Sequence, residues 1–333
     1  MFIRFHKVHL LSKKSFIFVA TTTLFIMSFS VRIMGCGSAI PTLYRNATAQ
    51  MVEYNGRLFL VDCAEGTQML MRKYQMRFAS LNHIFISHLH GDHFYGLFGL
   101  LSSLSMLGKR GKLYIHCPAG LRDMLTGPNS PLCLEDMGGE LVFVEHNPDG
   151  MALSYEDKRL EVYSFPLRHR VPTWGFIFRE KIRQPNIRKD MIERYNLSIA
   201  EIVAIKDGGD LRLHDGTIVP NSDLTTPAPA PLSYAYVSDT TMLPDTVPGY
   251  VRGATVLYHE ATYDNSLEQR ARETFHSTAA QAAEIARLAG VQRLYLGHFS
   301  ARYNSVSLLE SQAREIFPNS FVCKDGLVIN VKQ

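Results

Sequence analysis

The chain has 333 residues, 46% hydrophobic and 20% charged, a composition that suits one large globular α/β domain and excludes a disordered or fibrous chain. Its formal charge of +4 is no sign of a nucleic-acid partner: Arg4, Lys7, Lys13 and Lys14 supply it, and the rest of the chain holds 31 basic against 31 acidic residues. Five scattered cysteines (Cys36, Cys63, Cys117, Cys133, Cys323), never paired as CxxC, exclude a disulfide framework and a thiolate zinc knuckle and fit a reducing compartment.

The N-terminal stretch opens basic and runs into the apolar segment Phe16–Val31, which is too short for a membrane helix and passes without a polar break into SVRIMGCGSAIPT. That phrase reads as a first core strand and a glycine-rich turn, so a signal-type cleavage would fray the core. Residues 1–26 are therefore expected to be a leader or upstream sequence ahead of a true start at Met27; a signal or anchor is the alternative. No stable membrane association is expected, and with a cytoplasmic location the Asn46-Ala47-Thr48 sequon has no meaning.

Strand-like runs follow at Val31–Met34, Arg57–Val61, His83–Ser87, Lys112–His116, Leu141–Glu145, Arg159–Phe165, Phe176–Phe178, Tyr234–Ser238, Thr255–Tyr258, Arg293–Gly297, Phe321–Cys323 and Leu327–Val331. Helical patterns fall at Glu65–Tyr74, His93–Leu107, Gly120–Leu125, Ser277–Ala289 and Ser305–Phe317. The fourth is the clearest, with Thr278 near its start and Gly290 where a C-terminal cap belongs. No internal repeat is visible. Strands come both adjacent and separated by helices, so the sheet should be mixed, and an αββα sandwich satisfies the order. The polar stretch Ile182–Pro231, with Gly208-Gly209 and a Pro/Thr/Ala-rich exit, reads as an insertion; its projecting part is placed at about 181–224.

The chemistry concentrates in HIFISHLHGDHFYG, where an apolar strand runs into Ser87 and then His88, His90, Asp92 and His93. Three imidazoles and one carboxylate within six residues serve no packing purpose, and they are the borderline-to-hard ligands that suit Zn²⁺. His88 and His90 share a side in an extended exit, while Gly91 lets the chain turn and present Asp92 and His93 to a second ion. Further ligands should lie beyond other strand ends. His169 in SFPLRHRVPTWGF, Asp239 after YAYVS and His298 after LYLG qualify.

SHLHGDH resembles the HxHxDH signature of metallo-β-lactamase-fold hydrolases. RIMGCGSAIPT, Asp62-Cys-Ala-Glu-Gly-Thr-Gln68, His259-Glu-Ala-Thr262, His276-Ser-Thr278 and His298-Phe-Ser-Ala-Arg-Tyr303 together resemble the short form of the ribonuclease Z family, from about Val31 to the C-terminus. The resemblance implies a metallo-β-lactamase αββα sandwich over residues 27–333. It implies two Zn²⁺ per subunit, His88, His90 and His169 holding the first, Asp92, His93 and His298 the second, with Asp239 bridging and Asp92 doubling as general base. It implies cleavage of precursor tRNA at its 3′ end, leaving a 3′-hydroxyl on the tRNA and a 5′-phosphate on the trailer. It also implies a homodimer in which the inserted arm of one subunit presents tRNA to the other.

The departing 3′-oxygen needs a proton, and His259, at the tip of Thr255–Tyr258 with Glu260 to orient it, is the expected donor. Arg302 is the expected phosphate contact, and His276 is expected to brace the loop without chemistry. His83, His116, His146 and His214 read as ordinary core or surface histidines. Arg179, Lys181, Arg183, Arg188, Lys189 and Arg194 give the start of the insertion a basic excess over Glu180, Asp190 and Glu193. Two departures from the family stand out: Ala64 replaces a usual glycine, and Asn196–Asp210 has no Gly-Pro motif, which puts the arm's geometry in question. The alternatives are a small-molecule phosphodiesterase of the same fold and a non-catalytic protein with a metal-stabilised loop.

Overall fold

The computed structural model describes residues 28–132 and 138–332; the expected leader 1–26, Met27 and Cys133 lie outside the described residues. Two seven-stranded sheets face each other. The first runs, edge to edge, Val328–Asn330, Phe29–Gly35, Ala49–Tyr54, Arg57–Cys63, Leu81–Phe85, Gly111–Cys117, Gly139–Glu145. The second runs Ser320–Val322, Leu294–Gly297, Val256–Glu260, Ser233–Val237, Thr173–Glu180, Leu160–Leu167, Ala152–Glu156. Each sheet is antiparallel at one side and parallel at the other, as the connections require. Hairpins such as Tyr54–Arg57 join antiparallel neighbours, and helical crossovers such as Gly96–Met106 and Ala279–Ala289 join parallel ones. The last strand returns to close the first sheet, pairing Ile329 with Val31.

The space between the sheets is filled mainly by aromatic and branched side chains, among them Phe59, Phe85, Phe176, Phe178, Tyr234, Tyr236 and Tyr258. Leaving a buried tyrosine hydroxyl unpaired is costly, and three of the inter-sheet tyrosines have partners while Tyr258 Oη has none. Tyr236 donates to Asp62 Oδ2 at 2.6 Å, Tyr54 donates to Glu180 at 3.0 Å, and Tyr234 donates to Gln50. These bonds cross from sheet to sheet and fix their register. A second apolar cluster, including Leu97, Leu100, Leu101 and Leu104, seats the helix Gly96–Met106 on the outer face of the first sheet. Ala279–Ala289 covers the other outer face. It is capped as its sequence foretells: Thr278 accepts from the Gln281 amide, Gln281 reaches back to the Thr278 amide, and Gly290 ends it at φ 61°.

The insertion builds a small unit of its own. Helices Lys189–Tyr195 and Ile199–Lys206 pack Met191, Leu197 and Ile205 against Leu211, Val219 and Leu224, apart from the two larger clusters. Its neck is a two-stranded ribbon, Asn186–Ile187 against Thr225–Thr226. Among the described residues no helix is long and apolar enough to cross a membrane.

Candidate metal centre

Strand Leu81–Phe85 ends two residues earlier than its apolar run suggests, and the chain runs without helix to His90, which is itself extended. Extended geometry returns a side chain to the same side every second residue, so His88 Nε2 and His90 Nδ1 meet at 3.1 Å. Gly91 then opens the short helix Gly91–Phe94, which turns Asp92 and His93 to a second face. A Cβ at Gly91 would sit 2.3 Å from the Tyr95 ring, so a larger residue there would displace that exposed side chain.

Three further segments converge on this loop. His169 follows strand Leu160–Leu167, and its Nε2 lies 3.2 Å from His90 Nδ1. His298 follows strand Leu294–Gly297, with Nε2 3.2 Å from His93 Nε2 and 3.5 Å from Asp92 Oδ2. Asp239 follows strand Ser233–Val237 and divides its oxygens. Oδ2 lies 3.6 Å from His88 Nε2 and 3.7 Å from His169 Nε2, while Oδ1 lies 3.1 Å from His298 Nε2 and 3.6 Å from His93 Nε2. The seven side chains form two groups that could each hold an ion: His88, His90, His169 and Asp239, and Asp92, His93 and His298. A third overlapping group adds His276 to Asp239 and His298.

The hydrogen bonds behind the rings fix which nitrogen faces forward. His93 Nδ1 donates to Asp62 at 2.7 Å and His169 Nδ1 donates to the Phe275 carbonyl at 2.9 Å. Ser87 Oγ gives its hydrogen to Asp62, so it accepts from His88 Nδ1 at 3.0 Å. Thr262 Oγ1 gives its hydrogen to Glu260, so it accepts from His298 Nδ1 at 2.9 Å. Each of these four histidines therefore presents a bare Nε2 lone pair to the centre. Burial drives His88, His90 and His169 below their ordinary range, so they are neutral ligands at pH 7.

Converging lone pairs repel one another unless a cation lies between them, and Asp239 Oδ1 is buried with no hydrogen-bond partner. These residues fit a pair of divalent ions. Burial pulls His93 down, but Asp239, Asp92 and Asp62 outweigh it and push it up to about 10; a bound cation takes the place of that proton. Burial pushes the Asp92 carboxyl up, but the neighbouring His93 and His298 rings hold it well below the usual carboxylate range. Asp92 Oδ2 also accepts the Ala39 amide at 2.6 Å. Ala39, Asp62 and His298 all sit in the left-handed region, at φ 54°, 55° and 59°. That conformation costs about 1 kcal/mol or more for a non-glycine residue and tends to gather at functional sites.

The centre forms the floor of a cavity of about 660 Å³ whose walls include Glu65, Tyr95, Arg170, Tyr263, Arg270 and His276. The structure places His259, the expected proton donor, away from this cavity. Successive residues of a strand face opposite ways. Tyr258 pairs in register with Tyr236 and stacks on it toward the facing sheet, so Glu260 shares that inner face and His259 points to the outer one. His259 is buried, its Nδ1 donates to the Glu260 carbonyl at 2.7 Å, and it does not line the cavity. The Glu260 carboxylate instead accepts from the amides of Ser277 and Thr262, at 2.7 and 2.9 Å, and lies 3.2 Å from His276 Nδ1. His276, expected only to brace the loop, is the ring oriented by this carboxylate and facing the cavity. Strand Val256–Glu260 is buried on both faces, so its alternation cannot be read from the sequence. Arg302 stands at the rim, stacked 5.0 Å over Tyr263, and is not itself a wall residue.

Comparison with known proteins identifies the fold and the family. A family model described as Anti-Pycsar protein Apyc1 matches residues 29–125. Ribonuclease Z of Phocaeicola vulgatus is 48% identical over 304 residues, 91% of this chain and 98% of its own length. Ribonuclease Z of Bacteroides fragilis is 44% identical over 303 residues, 91% of this chain and 99% of its own. Among solved structures, human tRNase Z, short form, superposes with a TM-score of 0.63 at 25% identity, covering 91% of this chain and all of the human one. The metallo-β-lactamase fold protein YhfI from Bacillus subtilis gives a TM-score of 0.65 at 16% identity, over 91% of this chain and 99% of its own, and so supports the fold alone. The fold is the metallo-β-lactamase sandwich, and the chain belongs to the ribonuclease Z family.

Proposed function

We propose that the chain is a zinc-dependent endoribonuclease that cuts precursor tRNA at its 3′ end, leaving a 3′-hydroxyl on the tRNA and a 5′-phosphate on the trailer. The observation that carries this reading is the convergence of seven ligand side chains from four separate strand ends, with Asp239 giving one oxygen to each half. Imidazole and carboxylate ligands in this number suit two Zn²⁺ per subunit, with His88, His90 and His169 on one, Asp92, His93 and His298 on the other, and Asp239 between them. When bound, such a pair supplies a water deprotonated near neutral pH and positive charge for the phosphate oxygens.

The chain's own groups do the rest. Asp92, ionised and acceptor-only at neutral pH, takes the proton of the attacking water. As the phosphorus–O3′ bond breaks, the leaving oxygen takes a proton from His276 Nε2, and Glu260 stabilises the ring that carries it. Arg302, at the rim over Tyr263, answers to a phosphate beyond the cut. The arm at about 181–224 holds the tRNA body away from the centre, in a cytoplasmic homodimer where each arm serves the partner's site. Residues 27–333 form the catalytic domain that carries it.

The test is incubation with a 3′-extended tRNA transcript, with and without a chelator, followed by mapping of both product ends. The reading requires a chelator-sensitive single cut with those termini. Hydrolysis of small phosphodiesters while tRNA stays whole would favour a small-molecule phosphodiesterase instead.

A further inference from the structure

The cavity floor carries carboxylates, yet its substrate under the proposed reading is a polyanion. Among the described residues the cavity wall holds two guanidinium groups, Arg170 and Arg270. Arg170 follows His169 directly, is exposed, and its guanidinium makes no hydrogen bond or ion pair with the described residues. Arg270 meets Glu273 one turn away at 3.7 Å, with both side chains more than half exposed, so water screens the pair and a phosphate can displace it. Arginines elsewhere on the molecule are engaged more closely, as Arg287 is with Glu284 at 2.6 Å and Arg314 with Glu310 at 2.6 Å.

The backbones under these two arginines are tied together and to the centre. His169 Nδ1 binds the Phe275 carbonyl at 2.9 Å, joining the loop that bears Arg170 to the end of the helix Glu268–Thr274 that bears Arg270. The Arg168 amide donates to Thr240 at 3.2 Å and its carbonyl accepts from Thr241 at 3.0 Å, which sets the same loop beside Asp239. Two guanidinium forks thus stand on tethered backbone around the ligand set, Arg170 with no carboxylate partner among the described residues and Arg270 with only the exposed Glu273.

We infer that Arg170 and Arg270 bind the phosphates that flank the scissile one, so that the cavity selects a continuous RNA strand over an isolated phosphodiester. The guanidinium fork matches a phosphate bidentately, whereas a lysine would meet it as a point charge. This inference rests on the endoribonuclease reading. It makes the two arginines positioning residues, whose contribution falls on KM and on salt dependence.

The experiment measures cleavage of a 3′-extended tRNA by the wild-type chain, Arg170→Ala, Arg270→Ala and Arg170→Lys across a salt series, with bound metal and unfolding midpoint recorded for each. A second substrate set carries a single neutral methylphosphonate at one or other linkage beside the cut. Each alanine variant should raise KM about tenfold, the scale of one charge-assisted contact. Each should also reduce the slope of log(kcat/KM) against log salt by about 1, with Arg170→Lys recovering part of the loss. Neutralising the matching linkage should cost the wild-type chain the same factor and the alanine variant nothing further. Full KM and slope in both alanine variants, or equal sensitivity to the methylphosphonate in wild type and variant, overturns the inference while leaving the nuclease reading intact. A wild-type chain that fails to cut tRNA overturns the nuclease reading, and the inference with it.

Discussion

Asp62 is the residue on which the second half of the metal centre leans, although it touches no cation site itself. It is fully buried, and its two oxygens take four hydrogen bonds. Oδ1 accepts the Ser87 amide at 2.7 Å; Oδ2 accepts Ser87 Oγ at 2.8 Å, Tyr236 Oη at 2.6 Å and His93 Nδ1 at 2.7 Å. Asp62→Asn keeps the volume and replaces one oxygen with an amide donor. Facing Oδ2's partners, that donor meets three other donors; turned the other way, it meets the Ser87 amide. At least one buried group then goes unsatisfied, at about 1–3 kcal/mol, against a total stability of about 5–15 kcal/mol for a domain. The larger effect is on tautomer. Without an acceptor behind it, His93 loses the reason to keep its proton on Nδ1, and Nε2 is no longer a bare lone pair. Loss of such a supporting carboxylate lowers metal affinity by about 10–100-fold. Metal titration of the purified variant should show the weakening in one of two sites, the one built on Asp92, His93 and His298, together with a lower urea midpoint. An Asp62→Asn protein that binds both ions as tightly as wild type and unfolds at the same midpoint would refute the reasoning.

Three further outcomes follow from the same geometry. His276→Ala should lower kcat by about 10²–10⁴-fold, the range for loss of a general acid, with metal content retained, whereas His259→Ala should lower the unfolding midpoint and leave the pH profile of kcat in place; the reverse pattern would restore His259 to the reaction. Burial pushes His83 and His146 down to about 4, below the ordinary value of 6.5 that they regain on unfolding. The unfolded chain thus binds more protons between those values, so stability is complete above about pH 6.5 and falls as pH drops toward 4. A urea midpoint that stays flat from pH 7 to 4.5 contradicts this. Removing residues 181–224 should abolish tRNA cleavage and spare hydrolysis of bis(p-nitrophenyl) phosphate, since the arm packs its own apolar cluster apart from the sandwich; equal loss of both activities would mean that the arm supports the fold.

Much of the centre was legible because its ligands come just after apolar strands, where extended and turning backbone leave a readable spacing. His88, His90, Asp92 and His93 belong to that class, and so do Asp239 and His298. What stayed hidden depends on which face of a buried strand a residue takes. Val256–Glu260 is buried on both faces, so nothing in its sequence says that Glu260 and not His259 looks inward. Strand Ala49–Tyr54 shows no apolar run for a related reason: Gln50 is polar yet buried, and its role is to receive the Tyr234 hydroxyl from the opposite sheet. Ala152–Glu156, an edge strand, keeps too much exposed surface to show a run. The helix Glu268–Thr274 is almost wholly polar and carries little apolar stripe. The similar strand pattern of the two sheets, antiparallel then parallel, leaves no repeat in the sequence, because pairing direction is set by connections and not by residue identity.

The two halves of the centre share one carboxylate, Asp239. Metal analysis of the purified wild-type chain beside Asp239→Ala and His93→Ala addresses that directly. Two divalent ions per wild-type chain, loss of both in Asp239→Ala and loss of one in His93→Ala are the result the geometry predicts. A wild-type chain that takes up no divalent ion, or an Asp239→Ala chain that still holds two, would contradict it.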